Sequence, residues 1–319
     1  MTRPKVLITR HLPDAVMAEA GRLADIHVLD AAKGLTAAEA RDALASFDGI
    51  VSSHGDDFSV PAFDLDRPRC KILANFGAGI DHIDPGAARA CGVLVTNTPD
   101  TVTDATADIG ILLMLMTCRR AGEGERLLRR GDWTGWKPTQ MLGTHVTGKT
   151  LGIIGMGRIG KAVAKRAHLG FGMEIVFFNR SKVPDLGFPA RQLETLEQVL
   201  GGADVVVIAL PSTPLTWHLI GAEQLAAMKP TAYLVNIARG DIVDESALVV
   251  ALEAGQIAGA GLDVYEFEPK VSEGLLALEN VALLPHLGTA ALDVREAMGR
   301  MALENLRAGL EGRPVPNPV

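Results

Sequence analysis

The sequence predicts an α/β protein made of two doubly wound parallel-sheet domains, the first interrupted by the second. Three observations carry this reading. The chain has 319 residues, long for a single core. Short Val/Ile/Leu runs alternate with helix-period stretches almost throughout, and those runs are continuously apolar, as in parallel strands covered on both faces. A glycine-rich turn sits between one such run and a helical stretch, as at the start of a nucleotide-binding βαβ unit.

The elements follow in order. KVLITR, GIVSS, CKILANF and VLVTNT read as strands in the N-terminal part, with helical stretches at Thr36 to Ser46 and Asp84 to Cys91. A long helical stretch, roughly Asp104 to Arg130, comes next, with Thr103 or Asp104 as its N-cap and Gly131 at its end. After WTGWKP the alternation restarts with TLGIIG, EIVFFN, VVVIAL, AYLVNIA, AGAGLDV and VALLPH, six strands that make a complete doubly wound sheet. A last helical stretch, about Ala290 to Leu310, has no strand behind it and is expected to pack back on the first domain. The expected organisation is thus a discontinuous domain of residues 1–98 plus 289–319 around a central domain of residues 99–288.

Composition narrows the function. At 48% hydrophobic and 22% charged residues the chain is globular, and with 4% aromatics its core is mostly aliphatic. A formal charge of −7 offers no basic surface for wrapping nucleic acid. Cys70, Cys91 and Cys118 lack C-x-x-C or His pairing, so they read as free thiols in a reducing cytoplasm, and no metal site is expected. The N-terminus has no signal-peptide apolar region, and the longest apolar run, Ile109 to Met116, is far short of a membrane span. A cytoplasmic protein without membrane or nucleic-acid partners is the expectation.

LGIIGMGRIGKAVAKRA holds Gly155, Gly157 and Gly160 in G-x-G-x-x-G spacing. The first glycine permits the tight turn, the second lets backbone N–H groups approach a pyrophosphate, and the third packs helix on strand. A strand before, a helix after and a second strand ending at Asn179 give the motif its Rossmann context. Gly155, Met156, Gly157, Arg158, Ile159 and Gly160 are therefore candidate cofactor-binding residues.

The second strand runs out into FFNRSK, residues 177–182. A carboxylate there would hold a ribose 2′-hydroxyl and repel a 2′-phosphate. Asn179 cannot repel it, Arg180 and Lys182 bring positive charge, and Ser181 brings a hydroxyl donor. This favours NADP(H) over NAD(H). The competing reading makes Arg180 a solvated surface charge or an adenine-stacking residue.

NFGAGIDHID (75–84), NTPDTVTDATAD (97–108), TLGIIGMGRIG (150–160), NIARGDIVDESAL (236–248), GLDVYEFEP (261–269) and LLPHLGTA (283–290) together resemble the D-isomer-specific 2-hydroxyacid dehydrogenases, in that family's order and over essentially the whole chain. Within it the sequence looks most like the glyoxylate/hydroxypyruvate reductases, through TDATAD, WTGWKP and the Asn-Arg-Ser loop. The resemblance implies a catalytic triad of Arg239, Glu268 and His286. It places Thr106, Leu210, Pro211, Ile237, Asp263 and Gly288 beside the cofactor, and Ala78 and Gly79, with Arg239 and His286, beside the substrate. It makes residues 1–98 plus 289–319 the substrate domain, and a homodimer the expected assembly.

The chemistry of these residue types agrees. Reduction of a 2-oxo acid takes a hydride to the carbonyl carbon and a proton to its oxygen, and a histidine supplies the proton near neutrality. A carboxylate on its other ring nitrogen favours the imidazolium. A planar, bidentate guanidinium suits the substrate carboxylate and the charge that develops on the carbonyl oxygen. Backbone N–H groups after strand CKILANF could bind the carboxylate as well. Asp263 is open to a second reading as a buried turn cap. Trp133 and Trp136 are equally readable as pocket wall or as loop packing. Asp81 and His82 read as structural.

The expected reaction is NADPH-dependent reduction of glyoxylate and hydroxypyruvate to glycolate and D-glycerate. Two alternatives stay open. One is a reductase of another 2-oxo acid, of broad 2-ketoacid or phosphoglycerate type. The other is a non-catalytic NAD(P)-sensing binding protein of the same family.

Overall fold

The computed structural model describes residues 3–29 and 33–319. The chain divides into two compact units, one of Met1–Val102 with Thr289–Val319, the other of Thr103–Gly288. The first junction falls after Val102 rather than after residue 98, because helix formation begins at Thr103.

The first unit contains β1 (Lys5–Ile8), α1 (Asp14–Leu23), β2 (Asp25–Val28), α2 (Ala37–Ser46), β3 (Gly49–Ser53), β4 (Ile72–Phe76), α3 (Pro85–Ala90) and β5 (Leu94–Thr96). All pairs are parallel in the order β2-β1-β3-β4-β5, the flavodoxin-like winding. Side chains alternate across the sheet: Val6, Ile8 and Ile72 join Val16, Ala20 and Leu306 on one face, while Leu7, Ile50 and Leu73 join Leu44 and Phe58 on the other. Leu306 comes from the C-terminal helix, Leu292–Leu310, so the chain does return to this unit. Thr36 caps α2 in a capping box with Glu39, and Asp84 caps α3 through the Ala87 N–H.

The second unit contains α4 (Thr103–Cys118), α5 (Ala121–Arg129), β6 (Thr150–Ile154), α6 (Arg158–Phe171), β7 (Glu174–Phe178), β8 (Arg191–Gln192), α7 (Leu196–Gly202), β9 (Val205–Ile208), α8 (Ala222–Ala226), β10 (Tyr233–Asn236), α9 (Glu245–Glu253), β11 (Gly259–Leu262), α10 (Glu273–Ala277) and β12 (Val281–Leu283). Its parallel sheet runs β12-β11-β10-β9-β6-β7-β8. The winding reverses between β6 and β9, and the C-terminal ends of all seven strands share one edge. Ligands of such sheets bind outside that edge, at the reversal.

Two expectations are corrected. The stretch 104–130 is two helices: Arg120 is left-handed at φ 54°, and the last turn of α4 is closed by the Thr144 N–H on the Cys118 carbonyl at 2.7 Å. The six expected strands of this unit all form, and the two-residue β8 is added at the edge. No helix among the described residues is long and apolar enough to cross a membrane.

Candidate dinucleotide and acid–base site

The glycine turn lies at the winding reversal. Gly155 has φ 96°, and a Cβ there would sit 2.7 Å from the Ala209 carbonyl oxygen and from Leu210 Cβ. A Cβ on Gly160 would lie 2.2 Å from the Gly155 oxygen, so α6 packs directly on the turn. At Gly157, the N-cap of α6, a Cβ would meet nothing within 4 Å. Open space therefore faces the first N–H groups of a long helix, a cradle for a pyrophosphate. Met156 is buried, Arg158 is exposed and Ile159 is half-buried.

Asn179 is committed to the protein itself. Its Oδ1 accepts the Met156 N–H at 3.1 Å, and its Nδ2 donates to the Ser181 carbonyl at 2.9 Å. Gln192, on the added edge strand, donates to the carbonyls of Asn179 and Ser181 at 3.1 and 3.0 Å. The amide thus ties the glycine turn to the loop after β7. Arg180, Ser181 and Lys182 are exposed on that loop. Neither Arg180 nor Lys182 forms an ion pair among the described residues.

The expected acid–base residues follow neighbouring strands. Arg239 comes after β10, Glu268 after β11 and His286 after β12. His286 Nδ1 lies 2.8 Å from Glu268 Oε2, while Glu268 Oε1 accepts the Tyr265 N–H at 3.0 Å. A ring whose Nδ1–H is donated to a carboxylate presents Nε2 to a substrate. His286 has φ 53°, a left-handed position that needs support. Asp263 supplies it. Its carbonyl accepts the His286 N–H at 2.9 Å, and its carboxylate accepts the N–H groups of Leu287 and Gly288 at 2.7 and 2.8 Å.

The direct cofactor contact expected of Asp263 is therefore not what its surroundings favour. The residue is 1% exposed and its carboxylate clamps the His286 turn. Burial raises its pKa, opposed by the Leu287 N–H, by His286 and by the Gly288 N–H, while the Glu268 charge adds to the rise. Thr106 lies against the same turn, with its side chain about as near Gly288 as Asp263 is. Ile237 is buried in the core against Gly110, so only its backbone could face a ligand. Leu210 is half-buried and Pro211 exposed at the end of β9.

In the first unit, the loop 77–79 is held by two residues that sequence reasoning missed. Asn75 Nδ2 donates to the carbonyls of Gly77 and Gly79 at 3.0 and 2.8 Å, and Asn97 Nδ2 donates to the Ala78 carbonyl at 2.8 Å. In a trans peptide the N–H opposes the C=O, so the next N–H groups, of Ala78, Gly79 and Ile80, turn away from those anchors. His82 Nε2 bonds Asn75 Oδ1 at 3.2 Å, in keeping with a structural role.

Comparison with known proteins agrees with this geometry. Residues 111–288 match the family model of the D-isomer specific 2-hydroxyacid dehydrogenase NAD-binding domain. The glyoxylate reductase of Thermococcus kodakarensis is 43% identical, over 99% of this chain and 96% of its own. The glycerate dehydrogenase of Hyphomicrobium methylovorum is 38% identical, over 95% and 94%. The NADPH-dependent glyoxylate/hydroxypyruvate reductase of Sinorhizobium meliloti, solved with NADP and malonate, superposes with a TM-score of 0.88 at 36% identity, over 100% and 97%. Likeness of this degree along the whole length, joined to a glycine cradle at the reversal of a parallel sheet, means that the chain belongs to the D-isomer specific 2-hydroxyacid dehydrogenase family, oxidoreductases acting on 2-hydroxy acids.

Proposed function

We propose that this protein reduces glyoxylate and hydroxypyruvate with NADPH, giving glycolate and D-glycerate, and that His286 is the general acid. The observation that carries the reading is the 2.8 Å His286–Glu268 pair on the strand edge that also bears the glycine cradle. Glu268 holds Nδ1, so the proton for the substrate oxygen is delivered from Nε2. Arg239 receives the substrate carboxylate and stabilises the negative charge that develops on the carbonyl oxygen. In the other unit, the N–H groups of Ala78 and Gly79, turned away from the Asn75 and Asn97 anchors, are suited to bind a carboxylate. Bound NADPH supplies the hydride to the carbonyl carbon, and Nε2 gives its proton to the oxygen as the alkoxide forms.

NADPH preference is supported by the exposed Arg180 and Lys182, which form no ion pair among the described residues, and by the absence of a carboxylate at 179, where Asn179 buttresses the turn instead. In this reading Thr103–Gly288 is the dinucleotide domain and the other unit the substrate domain. A homodimer is supported by exposed Leu128, Trp133, Trp136 and Leu142, which lie close together in sequence on the dinucleotide unit. The test is the initial rate with glyoxylate and with hydroxypyruvate, each with NADPH and NADH, and for His286→Ala beside the wild type. Fast NADPH-linked turnover that falls by orders of magnitude in His286→Ala, with NADPH binding intact, is expected. Near-normal turnover of the variant removes His286 from its role, and a preference for NADH removes the 2′-phosphate from Arg180.

A further inference from the structure

Three segments of the dinucleotide unit meet behind the His286–Glu268 pair. Residues 218–220 pair with 241–244: the His218 N–H donates to the Asp241 carbonyl at 2.8 Å, Ile220 to Ile242 at 3.0 Å, and Asp244 to Ile220 at 3.0 Å. The third segment, 265–268, carries Glu268. It is gripped at the Tyr265–Glu266 peptide and at the side chain of Glu266. A Cβ on Gly240 would fall 1.8 Å from the Tyr265 carbonyl carbon and 2.2 Å from the Glu266 nitrogen, so the backbone beside Arg239 rests directly on that peptide. From the other end of the same short segment, Glu245 Oε1 accepts the Glu266 N–H at 2.6 Å. His218 Nε2 completes the grip at Glu266 Oε1, 2.8 Å away.

Glu245 is 5% exposed, although it opens α9, where an acid would be equally favourable in solvent. Capping does not explain its burial, since Asp244 already accepts the Ala247 N–H as N-cap. A carboxylate is withdrawn from water at a cost, and what it gains among the described residues is one short charge-assisted bond to the backbone of the Glu268 segment. We infer that Glu245 is a positioning residue for the acid–base pair: by holding the Glu266 N–H it fixes the 265–268 turn, and through it the carboxylate that orients His286. Because Arg239 and Glu245 flank one seven-residue stretch, residues 239–245, the same bond sets Glu268 relative to Arg239. This rests on the roles proposed above for Glu268 and His286.

The test compares Glu245→Ala, Glu245→Asp and Glu245→Gln with Glu268→Gln in the full chain. The readouts are kcat and KM for hydroxypyruvate, the NADPH dissociation constant, active-site concentration from NADPH titration, and the pH dependence of kcat. Glu245→Ala is expected to lower kcat per NADPH site roughly 10–100-fold, as a displacement approaching 1 Å does. Its pH profile should move in the same direction as that of Glu268→Gln, with NADPH affinity within about 3-fold of wild type. Glu245→Asp keeps the charge but withdraws the oxygen by one methylene, and should lose kcat also, so the test survives if the alanine variant does not fold. Glu245→Gln keeps an acceptor and should recover most of the loss. A wild-type pH profile and wild-type kcat per site in the alanine or aspartate variant would overturn the inference, as would a glutamine variant as poor as alanine. If Glu268→Gln itself leaves rate and profile untouched, the acid–base reading fails first. If Glu268→Gln is impaired while the Glu245 variants are not, only the positioning role falls.

Discussion

Replacing Asp263 by Asn separates turn clamping from cofactor binding. The carboxylate accepts two N–H groups, Leu287 at 2.7 Å and Gly288 at 2.8 Å, inside a residue only 1% exposed. Asn is isosteric but can accept at one position only; at the other its NH2 faces an N–H. One charge-assisted bond, worth ~1.5–3 kcal/mol, is lost and one buried donor is orphaned at ~1–3 kcal/mol. Relief of a buried carboxylate, whose cost is shown by its raised pKa, offsets part of this. A net loss of about 2 kcal/mol lowers the melting temperature by roughly 4–8 °C for a unit of this size. The larger effect should be catalytic. His286 stands at φ 53° because Asp263 holds the turn on both sides of it, and relaxation of that turn moves the ring away from Glu268. A shift of about 1 Å costs on the order of 100-fold in kcat. Thermal melting, hydroxypyruvate kinetics and NADPH titration measure all three quantities. Normal kcat with a lowered melting temperature would refute the orienting argument. A wild-type melting temperature with NADPH affinity weakened tenfold or more would make Asp263 a direct cofactor ligand after all.

Other variants test other parts of the site. Arg180→Ala should weaken NADPH by about 10–150-fold, the equivalent of one charge-assisted bond of ~1.5–3 kcal/mol, and leave NADH within about 2-fold; equal losses would take the 2′-phosphate away from Arg180. Gly155→Ala forces a side chain into φ 96° and against the Ala209 backbone at 2.7 Å, so it should lower stability by ~2 kcal/mol or more and abolish NADPH binding; wild-type titration curves would disprove the cradle. At Asp204, burial pushes the pKa up, but the Thr150 N–H and the Lys229 ammonium outweigh it and hold the carboxyl below its usual range. A lowered folded pKa means stability present above the unfolded value of about 3.9 and lost as pH falls through the folded one. Asp204→Asn should therefore be less stable than wild type at pH 7, with the gap closing in acid; a gap that stays constant on acidification would refute the linkage.

The fold was legible wherever burial imposes a pattern. Strands covered on both faces carry a continuous apolar run, and β1, β3, β4, β6, β7, β9 and β10 each contain one, with polar residues confined to their ends or single positions. Edges escape this. In β2, read DIHV, three of the four residues are exposed, and β8 has only two residues. Neither carries an apolar run, because an edge strand is held by hydrogen bonds that any sequence can make. The break in the stretch 104–130 escaped for a related reason. Its residues suit a helix on both sides, and what stops α4 is an N–H from Thr144, more than twenty positions downstream.

The same distinction applies to the site. The glycines could be singled out because steric need restricts their residue type, and His286, Glu268 and Arg239 because the motifs around them resemble those of a known family whose chemistry suits these residue types. The residues that hold them in place carry no such mark. Glu245 looks like an ordinary acid in the first turn of a helix, and Asn75 and Asn97 look like polar residues at strand ends. Their partners lie across the fold or in backbone amides: Glu245 on the N–H of Glu266, Asn97 on the carbonyl of Ala78. A bond to a backbone amide leaves no trace in the partner's side chain, so no pairing of residue types betrays it. A reactive group can be recognised by what it is, whereas a supporting group is recognised only by where the chain brings it. For that reason the precision of this site, as opposed to its chemistry, is set by residues such as Glu245 and Asp263 whose identity alone says little.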